Sequence, residues 1–280
     1  MLFRYPGGKG KLAKPILRAI LEEYERRPFS EYCEPFFGGG GVCFALLRVL
    51  DLERVWINDL DPGVYAVWWA VFNRPDELKR VIQEFVPSRT AYDQCRRLLL
   101  SGTVDTQCVQ TALAKVALHQ MSFSGLGLKA GGPMGEIASR WSVPNLQSQI
   151  DDANRLLTRR DFVLTRRDYR RVLSACGDDT LAYVDPPYYE KGSQLYQYAF
   201  GEKQHQELRD LLRGSKFPWV LSYDNHPEIR KLYPDCNLSE IPVSYTINGG
   251  VSSSELLVSR LRGPRVSDPS SGLLQPAEGL

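Results

Sequence analysis

EYCEPFFGGGGVCFALL, residues 31–47, sets the fold class. Residues 31–34 read as a short strand. A proline, two phenylalanines and four consecutive glycines then form a tight turn, and an apolar helical pattern follows from 42 to 50. Strand, tight turn and helix in that order are the opening unit of a parallel α/β sheet. The pattern repeats along the chain. Strand-like runs fall near 31–34, 54–58, 162–165, 180–184, 217–222, 237–242 and 255–259. Helical patterns fall near 11–26, 42–50, 62–73, 168–174, 204–213 and 226–233. The expected architecture is α/β, a mixed and mostly parallel sheet with helices on both faces.

The middle of the chain breaks this alternation. Helical patterns at 75–85, 89–100, 105–120 and 145–157 surround a glycine-rich polar stretch, SFSGLGLKAGGPMG (122–135), expected as one flexible loop or hairpin. The expected organisation is therefore discontinuous. Residues 1–74 and 158–262 form a catalytic domain, 75–157 an inserted helical domain, and the Pro-, Gly- and Ser-rich 263–280 a disordered tail.

Gly38 to Gly41 allow positive φ angles and close approach of a ligand to the backbone. A dinucleotide and S-adenosylmethionine are the two candidates. The G-x-G-x-x-G fingerprint fails, because Cys43 stands where the third glycine belongs. Asp59, at the end of the next strand and 18 residues past Gly41, suits a ribose of either ligand, since a carboxylate accepts both hydroxyl protons.

The second informative stretch is LAYVDPPYYEKG (181–192), an apolar strand that stops on an acid, two prolines and two tyrosines. Prolines end strands for steric reasons alone. Yet strand ends in open α/β sheets are where ligands sit. An exocyclic amino group on a nucleobase is a poor nucleophile because its lone pair is delocalised into the ring. Asp185 and the Pro186 carbonyl can each accept one amino hydrogen, which directs the lone pair at an incoming methyl group. Tyr188 offers a flat face for a base withdrawn from a duplex. The methylated nitrogen is cationic and acidic, so no histidine base is required.

That suits a chain of 280 residues with three histidines and six dispersed cysteines lacking any C-x-x-C. Structural zinc, a disulfide framework and a Ser-His-Asp triad are all poorly supported. Apolar runs such as VYAVWWAVF (64–72) are too short to span a bilayer, and MLFRYPGGKGK lacks the apolar core of a signal peptide. A cytoplasmic protein is expected. Between residues 86 and 171, thirteen Lys and Arg oppose seven Asp and Glu, leaving +6 there and −4 elsewhere. A positive segment in a near-neutral chain suits a polyanion or a solvated arginine face.

Taken together, RYPGGKGKL (4–12), EPFFGGGG (34–41), NDLD (58–61) and VDPPYY (184–189) resemble the Dam-type, or α-group, DNA adenine-N6 methyltransferases. The similarity continues in FVLTRRDY (162–169), HQEL (205–208), WVLSYDN (219–225) and YTINGGVSSSELLVS (245–259). The resemblance implies a Rossmann-like class I methyltransferase fold, S-adenosylmethionine as cofactor, double-stranded DNA as partner and a target-recognition role for the insertion. It implies a cofactor pocket bordered by Tyr5, Gly7, Gly8, Lys9, Glu34, Pro35, Phe36, Gly38, Gly40, Asp59, Asp168 and Asp185. Asp185, Pro186, Pro187 and Tyr188 would hold the target base. It requires no metal or membrane, favours a monomer while allowing a dimer, and leaves open whether a cognate restriction endonuclease is a further partner.

Plainer roles compete. Lys9 would be a solvated charge, Tyr5 a core aromatic, Asp59 and Asp168 helix caps and Asp185 a turn former. Cytosine-N4 methylation, or a catalytically silent DNA-binding module, would share most of the motifs. The insertion departs from the family: in place of NGL-x-R-x-N it carries Ser124-Gly125-Leu126-Gly127-Leu128-Lys129. A target other than GATC, or a relaxed one, is expected, with Ser124, Lys129, Arg140, Arg166 and Arg167 at the DNA. Arg159, Arg160, Arg170 and Arg171 are further phosphate candidates.

Overall fold

The computed structural model describes residues 2, 12–101, 104–190, 192–195, 198–244 and 252–260. Tyr5, Gly7, Gly8, Lys9 and the 263–280 segment lie outside them. Seven strands form one sheet: β1 (Glu31–Glu34), β2 (Arg54–Asn58), β3 (Asp161–Thr165), β4 (Thr180–Val184), β5 (Trp219–Asp224), β6 (Cys236–Ser244) and β7 (Ser252–Arg260). Their spatial order is β3-β2-β1-β4-β5-β7-β6. The first five are mutually parallel, β7 is antiparallel to β5, and β6 is antiparallel to β7. The chain works outward from β1 to β3 and then returns to the other side of β1, so the crevice lies at the carboxyl ends of β1 and β4. EPFFGGGG, NDLD, FVLTRRDY, VDPPYY and WVLSYDN all run off the carboxyl ends of parallel strands at that edge. β4 is buried along its whole length, which explains its unbroken apolar run.

Helices cover both faces. One hydrophobic cluster joins Tyr32, Ile57 and Tyr183 to α1 (Ala13–Arg26), α2 (Gly41–Leu46) and α3 (Pro62–Asn73). The other joins Ala182, Leu221 and Leu256 to α8 (Tyr169–Leu173), α10 (Glu202–Gly214) and α11 (Pro227–Leu232). Consecutive strand residues supply opposite clusters, as the pleat requires.

The inserted segment contributes α4 (Pro75–Glu84), α5 (Arg89–Leu100), α6 (Val109–Met121) and α7 (Val143–Leu157). It does not stand apart. Val109, Leu113 and Val116 of α6 and Leu146 and Ile150 of α7 belong to the same cluster as the sheet and α3. All of α6 except Gln110 is buried. Between α6 and α7 lie two single 3-10 turns, 123–125 and 127–129, and one isolated bridge, Ser122 with Pro133. Among the described residues this connection is a loop, not a ladder-forming hairpin.

Several boundaries shift for local reasons. The helix expected at 42–50 ends at Leu46, because Arg160 draws the carbonyls of Leu47 and Leu50 to its guanidinium (3.3 and 3.5 Å). The helix expected from 105 begins at Val109, because the Asp105 carboxylate accepts the Gln107 N–H (2.9 Å) and holds a turn there. The short α9 (Gly192–Leu195) has no signal in the sequence reading.

Candidate active site

The glycine turn is built by crowding. Gly38 and Gly40 both have positive φ, +48° and +68°. A Cβ on Gly40 would sit 2.5 Å from Phe37 Cζ and 2.7 Å from Phe44 Cε2, inside a cluster completed by Trp68. Both glycine requirements, of angle and of space, are therefore met only without a side chain. Trp68 Nε1 donates to the Gly38 carbonyl (2.8 Å), and the Gly38 N–H donates to Asp59 Oδ2 (2.8 Å). The backbone of the turn is thus fixed from both sides.

Asp59 also accepts the Asp61 N–H through Oδ1 (2.9 Å). Burial, reinforced by the neighbouring Asp61 charge, pushes its carboxyl up to about 7. Asp61 caps α3, accepting from Gly63 and Val64 (2.8 and 3.2 Å), with Pro62 at the first helical position. Its other oxygen takes Lys115 Nζ of α6 at 2.6 Å, in a pair whose side chains are 7% and 5% exposed. Burial works to raise Asp61, but Lys115 and the cap bonds outweigh it and hold the carboxyl low. The NDLD motif is therefore anchored from inside the inserted segment.

Asn58 joins three strand ends. Its amide donates to the carbonyls of Pro35 and Arg167 (2.9 Å each), and its oxygen accepts from Thr165 Oγ1 and the Arg167 N–H (2.8 Å each). Glu34, buried, accepts the Tyr32 hydroxyl at 2.8 Å. Burial holds its carboxyl well above the usual range, against the Tyr32 bond, and the charges of Asp185 and Asp59 add to the rise. Three acids from the ends of β1, β2 and β4 thus share one electrostatic neighbourhood.

Asp185 is half-buried, and Pro186, Pro187 and Tyr188 are buried. Ser222 of β5 donates to Asp185 Oδ1 at 2.8 Å, and Tyr183 of β4 lies 2.8 Å from the same serine oxygen. With the serine proton on Asp185, Tyr183 is the donor to Ser222. Tyr188 is 6% exposed, and its hydroxyl donates to Glu255. The Asp224 carboxylate accepts the N–H groups of Tyr189 and Glu190 (2.9 and 3.1 Å). Phe36 packs against Tyr169 and Phe200 at centroid distances of 5.4 and 5.7 Å. Asp168 caps α8 and ion-pairs with Arg170 (2.7 Å), whose side-chain hydrogen bonds, with its charge, hold the carboxyl below its usual range. The capping alternative for Asp168 is thus realised.

The basic residues divide. Arg160 is structural: it is buried against the carbonyls of Leu47, Leu50 and Leu156 and meets Asp51, which removes it from the phosphate candidates. Arg170 bridges Asp168 and Glu207. Arg166 and Arg167 are exposed and line an open depression with Asp168, Arg170 and Arg171. Lys129 is exposed and donates to the Ser193 carbonyl (3.0 Å), tying the inserted loop to the segment after β4. Ser124 has φ +52° and Arg140 is half-buried. Beside Ser124, the Phe123 ring is 62% exposed.

Asn58, Lys115, Ser222, Asp224 and Glu255 had no role in the sequence reading. Asn58, Ser222, Asp224 and Glu255 lie inside quoted motifs, but their partners are distant in sequence and no spacing signals them. Lys115 lies 54 positions from Asp61.

The model of the D12 class N6 adenine-specific DNA methyltransferases matches residues 5–247. The chain belongs to this family. Among curated relatives, the methyltransferase is 24% identical over 265 residues to the type II methyltransferase M1.LlaDCHI of Lactococcus lactis subsp. cremoris, with 90% of each chain covered. It is 23% identical over 267 residues to the type II methyltransferase M.MjaIII of Methanocaldococcus jannaschii, covering 88% of this chain and 91% of that one. Among solved structures, yhhF of Escherichia coli aligns over 89% of this chain and 88% of its own, with 11% identity and a TM-score of 0.35. A Thermoplasma acidophilum protein aligns over 90% and 98%, with 8% identity and a TM-score of 0.39. This D12-class methyltransferase acts on adenine N6 in DNA, which decides against the cytosine and catalytically silent alternatives.

Proposed function

We propose that the enzyme transfers a methyl group from S-adenosylmethionine to the N6 amino group of an adenine rotated out of double-stranded DNA, at a target other than GATC or a relaxed one. The observation that carries this reading is the position of Asp185. It follows the end of β4 within electrostatic range of the Glu34 carboxylate and accepts a hydrogen bond from Ser222.

The residues present suit the cofactor. Gly38 and Gly40 give a turn without side chains, and the Asp59 carboxylate, fixed by two backbone N–H groups, is a ribose acceptor. Gly38, Gly40, Glu34, Pro35 and Phe36 would line the pocket, with Tyr5, Gly7, Gly8 and Lys9 at its methionine end and Asp168 near the adenine ring. When bound, S-adenosylmethionine supplies a methyl group on a positively charged sulfur, which leaves as a neutral thioether. Asp185 accepts one amino hydrogen of the target base and the Pro186 carbonyl the other. The nitrogen lone pair is thereby aimed at the methyl carbon, and the cationic product nitrogen then sheds its proton.

Residues 75–157 would read the target and 1–74 with 158–262 would carry the chemistry. Ser124, Lys129 and Arg140 are candidates at the bases, with Arg166 and Arg167 at phosphates, where binding falls as salt rises. The enzyme would act as a monomer or dimer in the compartment that holds its DNA, with or without a partner nuclease.

The test is long-read sequencing of plasmid DNA from a methylation-free host expressing the enzyme or Asp185→Ala. N6-methyladenine in a defined set of contexts, reduced at least about a hundredfold in the variant, is the expected result. Undiminished methylation in Asp185→Ala would overturn the role of Asp185, and methylation confined to GATC would overturn the target reading.

A further inference from the structure

Asp224 of β5 and Glu255 of β7 are register partners across an antiparallel pair. Like charges directly opposite one another on neighbouring strands destabilise a sheet. A buried carboxylate is a further cost, and Glu255 is only 4% exposed. Such a pair needs a compensating role, and both partners turn to the same short segment. Glu255 accepts the Tyr188 hydroxyl, while the two Asp224 oxygens accept the N–H groups of Tyr189 and Glu190. Two residues before Asp224, on the same face of β5, Ser222 donates to Asp185.

We propose that Asp224 and Glu255 are positioning residues that hold the Asp185–Glu190 turn in the shape that receives the target adenine. This rests on the reading of Asp185, Pro186 and Tyr188 as the base pocket. Three successive residues beyond Pro187 are gripped by two carboxylates on paired strands, and Asp185 itself is gripped from β5. Because Pro186 and Pro187 are rigid, fixing both ends of the segment fixes the Pro186 carbonyl between them. The two outer carboxylates contact only Tyr188, Tyr189 and Glu190, none of which belongs to the proposed cofactor pocket, so the clamp acts first on the base. The outer carboxylates therefore control the catalytic rate after DNA has bound.

The test uses the full chain and two duplexes bearing the target motif found by plasmid sequencing, one with the target adenine intact to measure turnover and one with 2-aminopurine in its place to report unstacking. Asp185→Ala, Asp224→Asn, Glu255→Gln and the double variant Tyr188→Phe with Glu255→Leu are compared with the wild type. The double variant removes both polar groups of a buried pair together, which leaves neither without its partner and is the change expected to cost the fold least. In Asp224→Asn one backbone N–H meets an amide N–H instead of an acceptor. Expected are a fall in kcat of about ten- to a hundredfold in the double variant and in Asp224→Asn, the scale of a 1 Å misplacement. The 2-aminopurine signal should weaken, while S-adenosylmethionine affinity and duplex affinity remain within about twofold. Glu255→Gln keeps an acceptor for Tyr188 and should retain more activity than the double variant. Wild-type kcat in the double variant and in Asp224→Asn, with Asp185→Ala inactive, would overturn the clamp alone. An active Asp185→Ala would overturn the underlying site reading. Equal loss of cofactor affinity, or an unfolded double variant, would show a general structural role and also overturn it.

Discussion

The glycines of the strand-end region and those of the inserted loop differ in what surrounds them. At Gly40 a Cβ would meet aromatic carbons at 2.5 and 2.7 Å, and at Gly63 it would meet Lys115 Cδ at 2.8 Å. At the base of the loop, Gly127 is similarly closed in, with His119 Nε2 at 2.7 Å. Farther along the loop, Gly131, Gly132 and Gly135 have nothing within 4 Å of an added Cβ. Glycine is obligatory where the backbone must pass against packed side chains, and optional a few residues later. The composition of SFSGLGLKAGGPMG conceals this division, because all five glycines look alike in sequence.

The comparison can be broken most severely at Lys115. Lys115→Met leaves the Asp61 carboxylate buried without its cation and should destabilise the fold by about 3–5 kcal/mol, read as a lowered thermal midpoint. A change under about 1 kcal/mol would mean that Asp61 is satisfied by its cap bonds alone. Gly40→Ala comes next. The left-handed backbone costs about 1–2 kcal/mol, and crowding Phe37 and Phe44 adds to it. Weakened S-adenosylmethionine binding by calorimetry should accompany the loss.

The comparison is sharpened by pH. Asp59 ionises near 7, and both ribose hydroxyls donate only to the carboxylate form. Cofactor affinity should therefore rise about tenfold from pH 6 to pH 8, with proton release on binding below pH 7. The sign for the unliganded fold is opposite. A carboxyl raised above its unfolded value favours folding at low pH, and this contribution is lost as pH rises through about 7. The smallest effect belongs to the open end of the loop. Gly131→Ala should stabilise by about 0.4–1 kcal/mol through the unfolded chain, with methylation rate unchanged. A destabilisation there would show that the loop is as closely packed as the strand ends.

Legibility in the sequence followed the range of the interactions. β1, β2 and β4 could be read because buried strands are short apolar runs and because glycine, proline and acid punctuate their ends. α6 could be placed, but its burial could not. Lys115, His119 and Gln120 give it the look of a surface helix, and each is buried through a partner remote in sequence or in a turn: Asp61, Gly125 and Leu2. Arg160 looked like a phosphate ligand because a local arginine cluster carries no record of carbonyls more than a hundred residues away. Asp168 was readable as a cap because that bond is local, two residues on. Asp224 and Glu255 were invisible as a pair because strand register is a property of the folded sheet.

The burial of α6 bears on how this enzyme can change its target. A module that recognises DNA is exchangeable between relatives when it meets the catalytic body through a shallow seam. Here the helix leading into the loop is part of the core and carries the cation of the NDLD acid. A transplant cut at residues 75 and 157 would remove Lys115 from Asp61 and disturb the turn beside Asp59. Cuts at 122 and 142 would leave that pair in place, so, on the proposed reading of this segment as the target reader, new specificities should arise by rewriting about twenty residues of loop, not by swapping the insertion whole.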